Sequence, residues 1–443
     1  MRLAAFLVLA SGLWGQQLSP FDTHLASGRA ALQQSRYMEA DRQFRAAIAD
    51  AESQKPDDAA AALRLTEALE ELCDLDLLTG KYDEAVSLEE RAVSALEKTL
   101  GPENHDLAPH LLRLAGAYRA GAQTSRAEPV AQRALALDLR ALGADDARVA
   151  ADYDTLASVY SELRQYDDAR TAYQKALASR ISRLGPEHMD VSTTYLNLAL
   201  LEEKDEKSKE ARAYYEKALA ISEKKLGAES YSLTGILDRL GLLLRHQKDF
   251  GEAEPVLQRS LTIREKTLGS RHADVAPALD NLALTYFYDS KFAEAEPLFA
   301  RSLQIWLATQ GPYSPLAAQA MDNLGSLYGV QGRYDDAEPL FRRAVGIRER
   351  ADIESLANLA SIYAARKDPK NADVCFQRAI LIGEKGIGGE HPEVVETMQG
   401  YADFLRTSGR ISESKKVKAH IQELLTHTHK EPETAPNLQP QRR

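Results

Sequence analysis

Residues 159–191 read VYSELRQYDDARTAYQKALASRISRLGPEHMDV, and residues 327–350 read LYGVQGRYDDAEPLFRRAVGIRER. The two stretches fall in step because one pattern runs through the chain. Small residues stand at Ala85, Ala127, Ala169, Ala211, Ala253, Ala295 and Ala337, 42 residues apart each time. A second column lies seven residues further on, at Ala92, Ala134, Ala176, Ala218, Ser260, Ser302 and Ala344. A third is glycine, at Gly101, Gly143, Gly185, Gly227, Gly269 and Gly311. A period held over so many intervals is the mark of a repeat array.

Each unit reads as two helices. Tyr153, Leu156, Ala157 and Tyr160 fall on one helical stripe, and Ala169, Tyr173, Ala176 and Ile181 on another. Arg164-Gln165 is a polar break between them. The small residues mark close helix approach, where a larger side chain at Ala157 or Ala169 would overpack at ~1–3 kcal/mol. Pro129, Pro255, Pro297 and Pro339 each follow the repeated Ala by two residues and are expected in the first turn of the second helix. The Leu-Gly pairs, from Leu100-Gly101 to Leu268-Gly269, are expected to end it with a left-handed glycine cap.

The set Leu156, Ala157, Tyr160, Ala169, Tyr173 and Ala176 resembles the tetratricopeptide repeat, whose common unit is about 34 residues. NLALTYFYDSKFAEAEPLFARSL (residues 281–303) and NLGSLYGVQGRYDDAEPLFRRAV (residues 323–345) are similar to the 42-residue kinesin-light-chain variety. The resemblance spans about residues 21–425. It implies an all-α protein, a right-handed α-solenoid of about nine to ten helix-turn-helix repeats. No heptad segment precedes the repeats, so a motor role is not implied.

The ends differ from the middle. Arg2, the apolar run Leu3–Leu13 and the small residues after it have the layout of a secretory signal peptide, expected over residues 1–17. The solenoid is expected over residues 18–425, and a disordered tail over residues 426–443. The step from Ala337 to Ala372 falls to 35 residues. A shortened join is therefore expected near residues 345–358, with a local change of curvature or a seam.

The 443-residue chain carries 55 basic and 66 acidic residues, a net charge of −11. That balance lacks the footprint of a nucleic-acid binder. Cys73 and Cys375 are the only cysteines and read as small apolar residues in separate repeats, not a disulfide. No metalloprotease, nucleophile-elbow or phosphate-loop motif occurs; Gly383–Gly389 reads as a helix terminator. His188, His272 and His391 share one loop position and lie too far apart for shared coordination. No catalytic residue, metal site or cofactor is expected.

One column points to binding. The residue before the repeated Leu of the first helix is Asn at Asn197, Asn281, Asn323 and Asn358, and Arg at Arg113 and Arg239. Asn is a poor helix former, yet its amide offers both donor and acceptor to an extended peptide backbone. Asparagines in this part of the repeats it resembles hold peptide ligands, and the alternative is that they bond neighbouring helices. The reading is an exported, periplasmic or secreted, non-catalytic scaffold for a protein or peptide partner, with no nucleic acid and no membrane insertion of the mature chain. The alternative is an exported enzyme or enzyme subunit, for example in cell-wall or polysaccharide chemistry, that docks partners through its repeats.

Overall fold

The computed structural model describes residues 19–53, 59–347, 353–386 and 388–427. The expected signal peptide, nearly all of the expected tail, and the centre of the shortened join at residues 348–352 lie outside them. The chain forms two compact units, Met1–Lys225 and Leu226–Arg443. Among the described residues each unit is built from five antiparallel helix pairs, and no strand occurs.

The first unit holds α1 (Pro20–Gln33) with α2 (Tyr37–Glu52), α3 (Ala59–Leu78) with α4 (Tyr82–Leu100), and α5 (Ala108–Ala120) with α6 (Thr124–Leu142). It closes with α7 (Ala147–Glu162) on α8 (Tyr166–Leu184), and α9 (Met189–Lys204) on α10 (Ser208–Leu226). The second unit holds α11 (Thr234–His246) with α12 (Phe250–Leu268), α13 (Val275–Tyr288) with α14 (Phe292–Thr309), and α15 (Pro315–Val330) with α16 (Tyr334–Ile347). It closes with α17 (Ile353–Ala365) on α18 (Pro369–Gly386), and α19 (Pro392–Thr407) on α20 (Ile411–His427).

The small-residue columns are the seams of these pairs. Ala85, Ala127, Ala169, Ala211, Ala253, Ala295 and Ala337 are all completely buried. On the same helices, one turn further on, large side chains face small places on the first helix, as Phe44 faces Gly28 and Phe341 faces Gly325. Phe44, Tyr215, Phe299 and Phe341 are buried in this way, each contributing ~1.5–3 kcal/mol. Some of these places are too small even for alanine. A Cβ at Gly241 would lie 2.5 Å from Leu257, and one at Gly28 would lie 2.5 Å from Phe44.

Successive first helices adjoin one another, as α11 does α13, α15 does α17 and α17 does α19. Successive second helices are instead bridged by long side chains. Arg91 of α4 reaches Glu52 of α2 at 2.7 Å, and Arg301 of α14 reaches Glu265 of α12 at 2.5 Å. Several of these arginines also hold the loop beneath: Arg133 donates to the Pro102 carbonyl at 2.7 Å, Arg259 to that of Ala228 at 2.6 Å and Arg301 to that of Ser270 at 2.7 Å. The closer spacing of the first helices makes theirs the inner face of each unit.

Two expectations about helix ends are corrected. The prolines do not mark the start of the second helices. Pro129, Pro255, Pro297 and Pro339 stand at the sixth residue, since the helices begin at Thr124, Phe250, Phe292 and Tyr334. They are tolerated because they lie exposed on the outer face, as do Ser125, Gly251, Ala293 and Asp335 four residues before. Water can bond the carbonyls that proline leaves without a donor. The Leu-Gly glycines do end the helices with positive φ, but ψ is extended: Gly101 has φ 86° and ψ 151°, and Gly143 φ 81° and ψ 165°. That region is open essentially to glycine alone.

The left-handed residue sits in the other turn, within each pair. Ser35, Ala122, Arg164, Glu206, Lys248, Ser290 and Lys367 have φ of 56–64°, and Gly80, Gly332 and Gly409 have φ of 75–79°. The next amide bonds back five residues, as from Gln165 to the Tyr160 carbonyl at 2.9 Å and from Asp249 to that of Leu244 at 2.9 Å. This is the Schellman closure of a helix, here in every pair. A side chain in the left-handed region is strained by ~1–2 kcal/mol. Lys248→Gly should therefore stabilise the protein by about 0.5–1 kcal/mol after the added freedom of the unfolded chain is deducted, seen as a raised Tm. A Tm at or below that of the parent would show the turn to be unstrained.

Candidate functional site

The inner face of the second unit carries Arg239 on α11, Asn281 on α13, Asn323 on α15 and Asn358 on α17. The three asparagines are half-buried and Arg239 is exposed. The amides thus occupy one register on successive first helices, beside the buried packing stripe. Asn323 accepts a hydrogen bond from Gln319 at 3.4 Å and lies beside Asp280 of the preceding first helix. Burial pushes the Asp280 carboxyl up to about 6, while Ser302, Trp306 and Asn323 restrain the rise. Asn358 opens into a cavity of about 410 Å³ between α17 and α19, lined by Glu354, Glu393, Glu396 and the ring of Phe376.

In the first unit, Asn197 of α9 is half-buried in the same register. Arg113 of α5 is committed within the fold. It donates to Glu89 at 3.0 Å and to Asp74 at 2.8 Å, and lies 3.3 Å from Glu70. Glu89 stands where most other second helices carry an aromatic ring, and it is buried. Arg113 is its counter-charge, and burial raises the Glu89 carboxyl in spite of it.

Other buried or half-buried arginines are likewise paired. Arg170 binds Glu202 at 2.7 Å and Asp205 at 2.6 Å, Arg180 binds Asp154 at 2.5 Å, and Arg264 binds Asp238 at 2.6 Å. Arg245, near the end of α11, differs. It is half-buried, its Nε and Nη1 are shielded from solvent, and among the described residues neither has a hydrogen-bond partner. The Tyr288 ring lies 5.9 Å away at the end of α13. Burial pulls its pKa down, with no carboxylate to restore it. Sequence reasoning passed over Arg245, because only the fold reveals which arginines lack an acid.

The loop histidines also have an assignment. Nδ1 of His188 accepts from the Asp190 amide at 3.2 Å, that of His272 from Asp274 at 3.2 Å, and that of His391 from Glu393 at 3.4 Å. Asn104, Asp146 and Ser314 do the same in their repeats. The column is a set of helix-start caps. Among the described residues no group of His, Cys, Asp and Glu is placed to hold a metal ion. Cys73 and Cys375 are both free thiols, the first buried and the second half-buried.

The register, the paired helices and the small-residue seams agree with the sequence models of the tetratricopeptide repeat, which match residues 64–140, 147–224, 233–303, 274–350 and 353–393. The chain belongs to the tetratricopeptide repeat family. No curated protein matches its sequence. Its repeats are similar to those of a solved Podosopora anserina protein described as a kinesin light chain with nearly identical repeats, at 21% identity and TM-score 0.40, over 45% of this chain and 98% of that one. BtubC (BKLC) from P. vanneervenii is 22% identical, with TM-score 0.33, over 61% of this chain and 94% of the other. A Pyrococcus horikoshii signal transduction ATPase with a tetratricopeptide repeat sensor is 15% identical, with TM-score 0.53, over 78% of this chain and 53% of the other. That last likeness shows the fold alone. Tetratricopeptide repeats are protein-interaction scaffolds, and among the described residues no helix is long and apolar enough to cross a membrane.

The acids buried between α6 and α7 set a pH dependence. Asp138 and Asp152 are both 1% exposed, and among the described residues each has a carboxylate oxygen without a hydrogen-bond partner, that of Asp138 lying 3.7 Å from His105. Burial, with Asp138 nearby, pushes the Asp152 carboxyl up to about 7, against the weaker pull of Arg148. The folded state thus holds a proton that the unfolded chain, titrating near 4, has lost. Stability falls as pH rises through that window and stays low above it. Asp152→Asn should reduce the slope, so thermal unfolding should show its gain over the parent greatest near about pH 8 and vanishing near about pH 4. A parallel pH profile for the two proteins would refute this.

Proposed function

We propose that the protein is a non-catalytic scaffold that holds an extended peptide segment of a partner against the first-helix face of its repeats. The observation that carries this reading is the amide column: Asn281, Asn323 and Asn358 on successive first helices, half-buried in one register. An extended backbone presents its own donors and acceptors at regular intervals, and an amide can serve either. Asn197 extends the same chemistry to the first unit.

The double replacement Asn281→Ala with Asn323→Ala tests this. Each neutral hydrogen bond lost is worth ~0.5–1.5 kcal/mol, so binding of a partner peptide should weaken about tenfold or more. The fold should hold, because alanine is the better helix former. A lower Tm with unchanged affinity per folded molecule would make the column structural, with Asn323 serving Asp280.

We propose further that the chain is exported, on the strength of Arg2 and the apolar run Leu3–Leu13. Cleavage is expected between Ser11 and Ser19. N-terminal sequencing of the protein from its native cell should find the new end there, and an intact Met1 on cytoplasmic protein would overturn the proposal.

A further inference from the structure

Arg245 marks a second binding element. Its guanidinium lies on the inner face, where the ends of α11 and α13 meet. Nε and Nη1 are shielded from solvent and unbonded. Among the described residues no hydrogen bond from Nη2 occurs either, and since the residue is only half-buried we take Nη2 as the edge nearest solvent. In a chain with an excess of 11 negative charges, an arginine stripped of water without a carboxylate is out of place. Arg113, Arg170, Arg180 and Arg264 each hold at least one. Buried polar groups are normally bonded, and an exception calls for a reason.

Its surroundings are open on one side. Tyr288 is 59% exposed, and Val330, at the matching place on the next first helix, is 60% exposed. Arg239, six residues earlier on α11, adds an exposed positive charge. We propose that Arg245 receives a carboxylate from the peptide held on this face, an acidic side chain that bonds at Nη2 while Tyr288 flanks it. This rests on the peptide-binding reading and adds to it: the amide column would hold the backbone, and Arg245 would select an acidic residue at one place along it. The guanidinium is already partly dehydrated, so an incoming anion meets less of the usual desolvation cost and forms a charge-assisted bond.

The test uses the full chain and an array of short, end-blocked peptides in matched sets, identical but for Glu, Gln, Lys or phosphoserine at one position. The same peptides with free C-termini form a further arm. The protein should retain the Glu member of its bound sets about tenfold better than the Gln member. Arg245→Gln should abolish that preference with a Tm unchanged or raised, since an unpaired buried charge has been removed. A preference for free C-termini that is lost in the same variant would supply the carboxylate from the chain end instead, and supports the site. The Asn281→Ala, Asn323→Ala double variant should weaken all members of a set alike and keep the Glu-to-Gln ratio. Bound sets without a Glu preference, a preference that survives Arg245→Gln, or phosphoserine retained above Glu would each overturn the Arg245 assignment and leave the peptide-binding reading standing. A clear fall in Tm on Arg245→Gln would likewise overturn it, by making Arg245 a packing residue. If no set binds at all, both readings fall together.

Discussion

Two helices meeting across a side chain no larger than alanine is the constraint from which the rest of the molecule follows. Ala169 and Ala295 are completely buried in close-packed surroundings, where a larger residue would overpack the seam. At Gly28 and Gly241 not even a methyl group is accommodated. Because the axes are close, the connecting turn must be tight, and it closes on a left-handed residue in every pair. Because the turn is tight, the second helix returns along the first and lays its ring or leucine into the opposing small place. The seam, the turn and the aromatic insertion are one arrangement repeated.

That arrangement also sorts the surface. First helices adjoin each other along one face, and second helices are joined by long arginine side chains on the other. The outer face therefore consumes charge in holding the repeats and their loops in place. The inner face keeps half-buried amides, an exposed Arg239, and an Arg245 with no acid beside it. In the first unit the first helices carry such bridges as well, Arg113 to Asp74 and Arg119 to Glu162, so it is on the second unit's inner face that Arg239 and Arg245 stand apart from them.

What was legible in the sequence was whatever depends on size and period. Ala127, Ala253 and their counterparts announce the seams because nothing else fits, and the six regular glycines announce the second-helix ends because their backbone conformation admits no Cβ. The tight turn was not legible. Most of its left-handed residues carry side chains, Ser35, Arg164 and Lys248 among them, and a small strain cost borne by the surrounding packing leaves no residue signature. The prolines misled for a related reason: exposure to water, which the chain order does not show, lets Pro255 stand beyond the first turn. The amide column could be found as a periodic oddity, but not that Asn323 neighbours Asp280. Nor could it be read that Arg113 is tied to Glu89 while Arg245 is not tied to any acid. Those depend on which side chains face one another across repeats.

The partners in all these bonds are close in sequence. Tyr231 meets Asp274 43 residues on, Arg133 meets Glu97 36 residues back, and Gln165 closes its turn on Tyr160. No pair waits for the far end of the chain before its own contacts can form. The entropy of closing loops is small at each step, and a topology of such low contact order folds fast. The protein can therefore acquire structure in the order in which it is made, each new helix pair settling on the one before. A truncated chain ending at a loop would retain the pairs already laid down, so growth or loss of a repeat changes the length of the array without requiring the remainder to find a new fold.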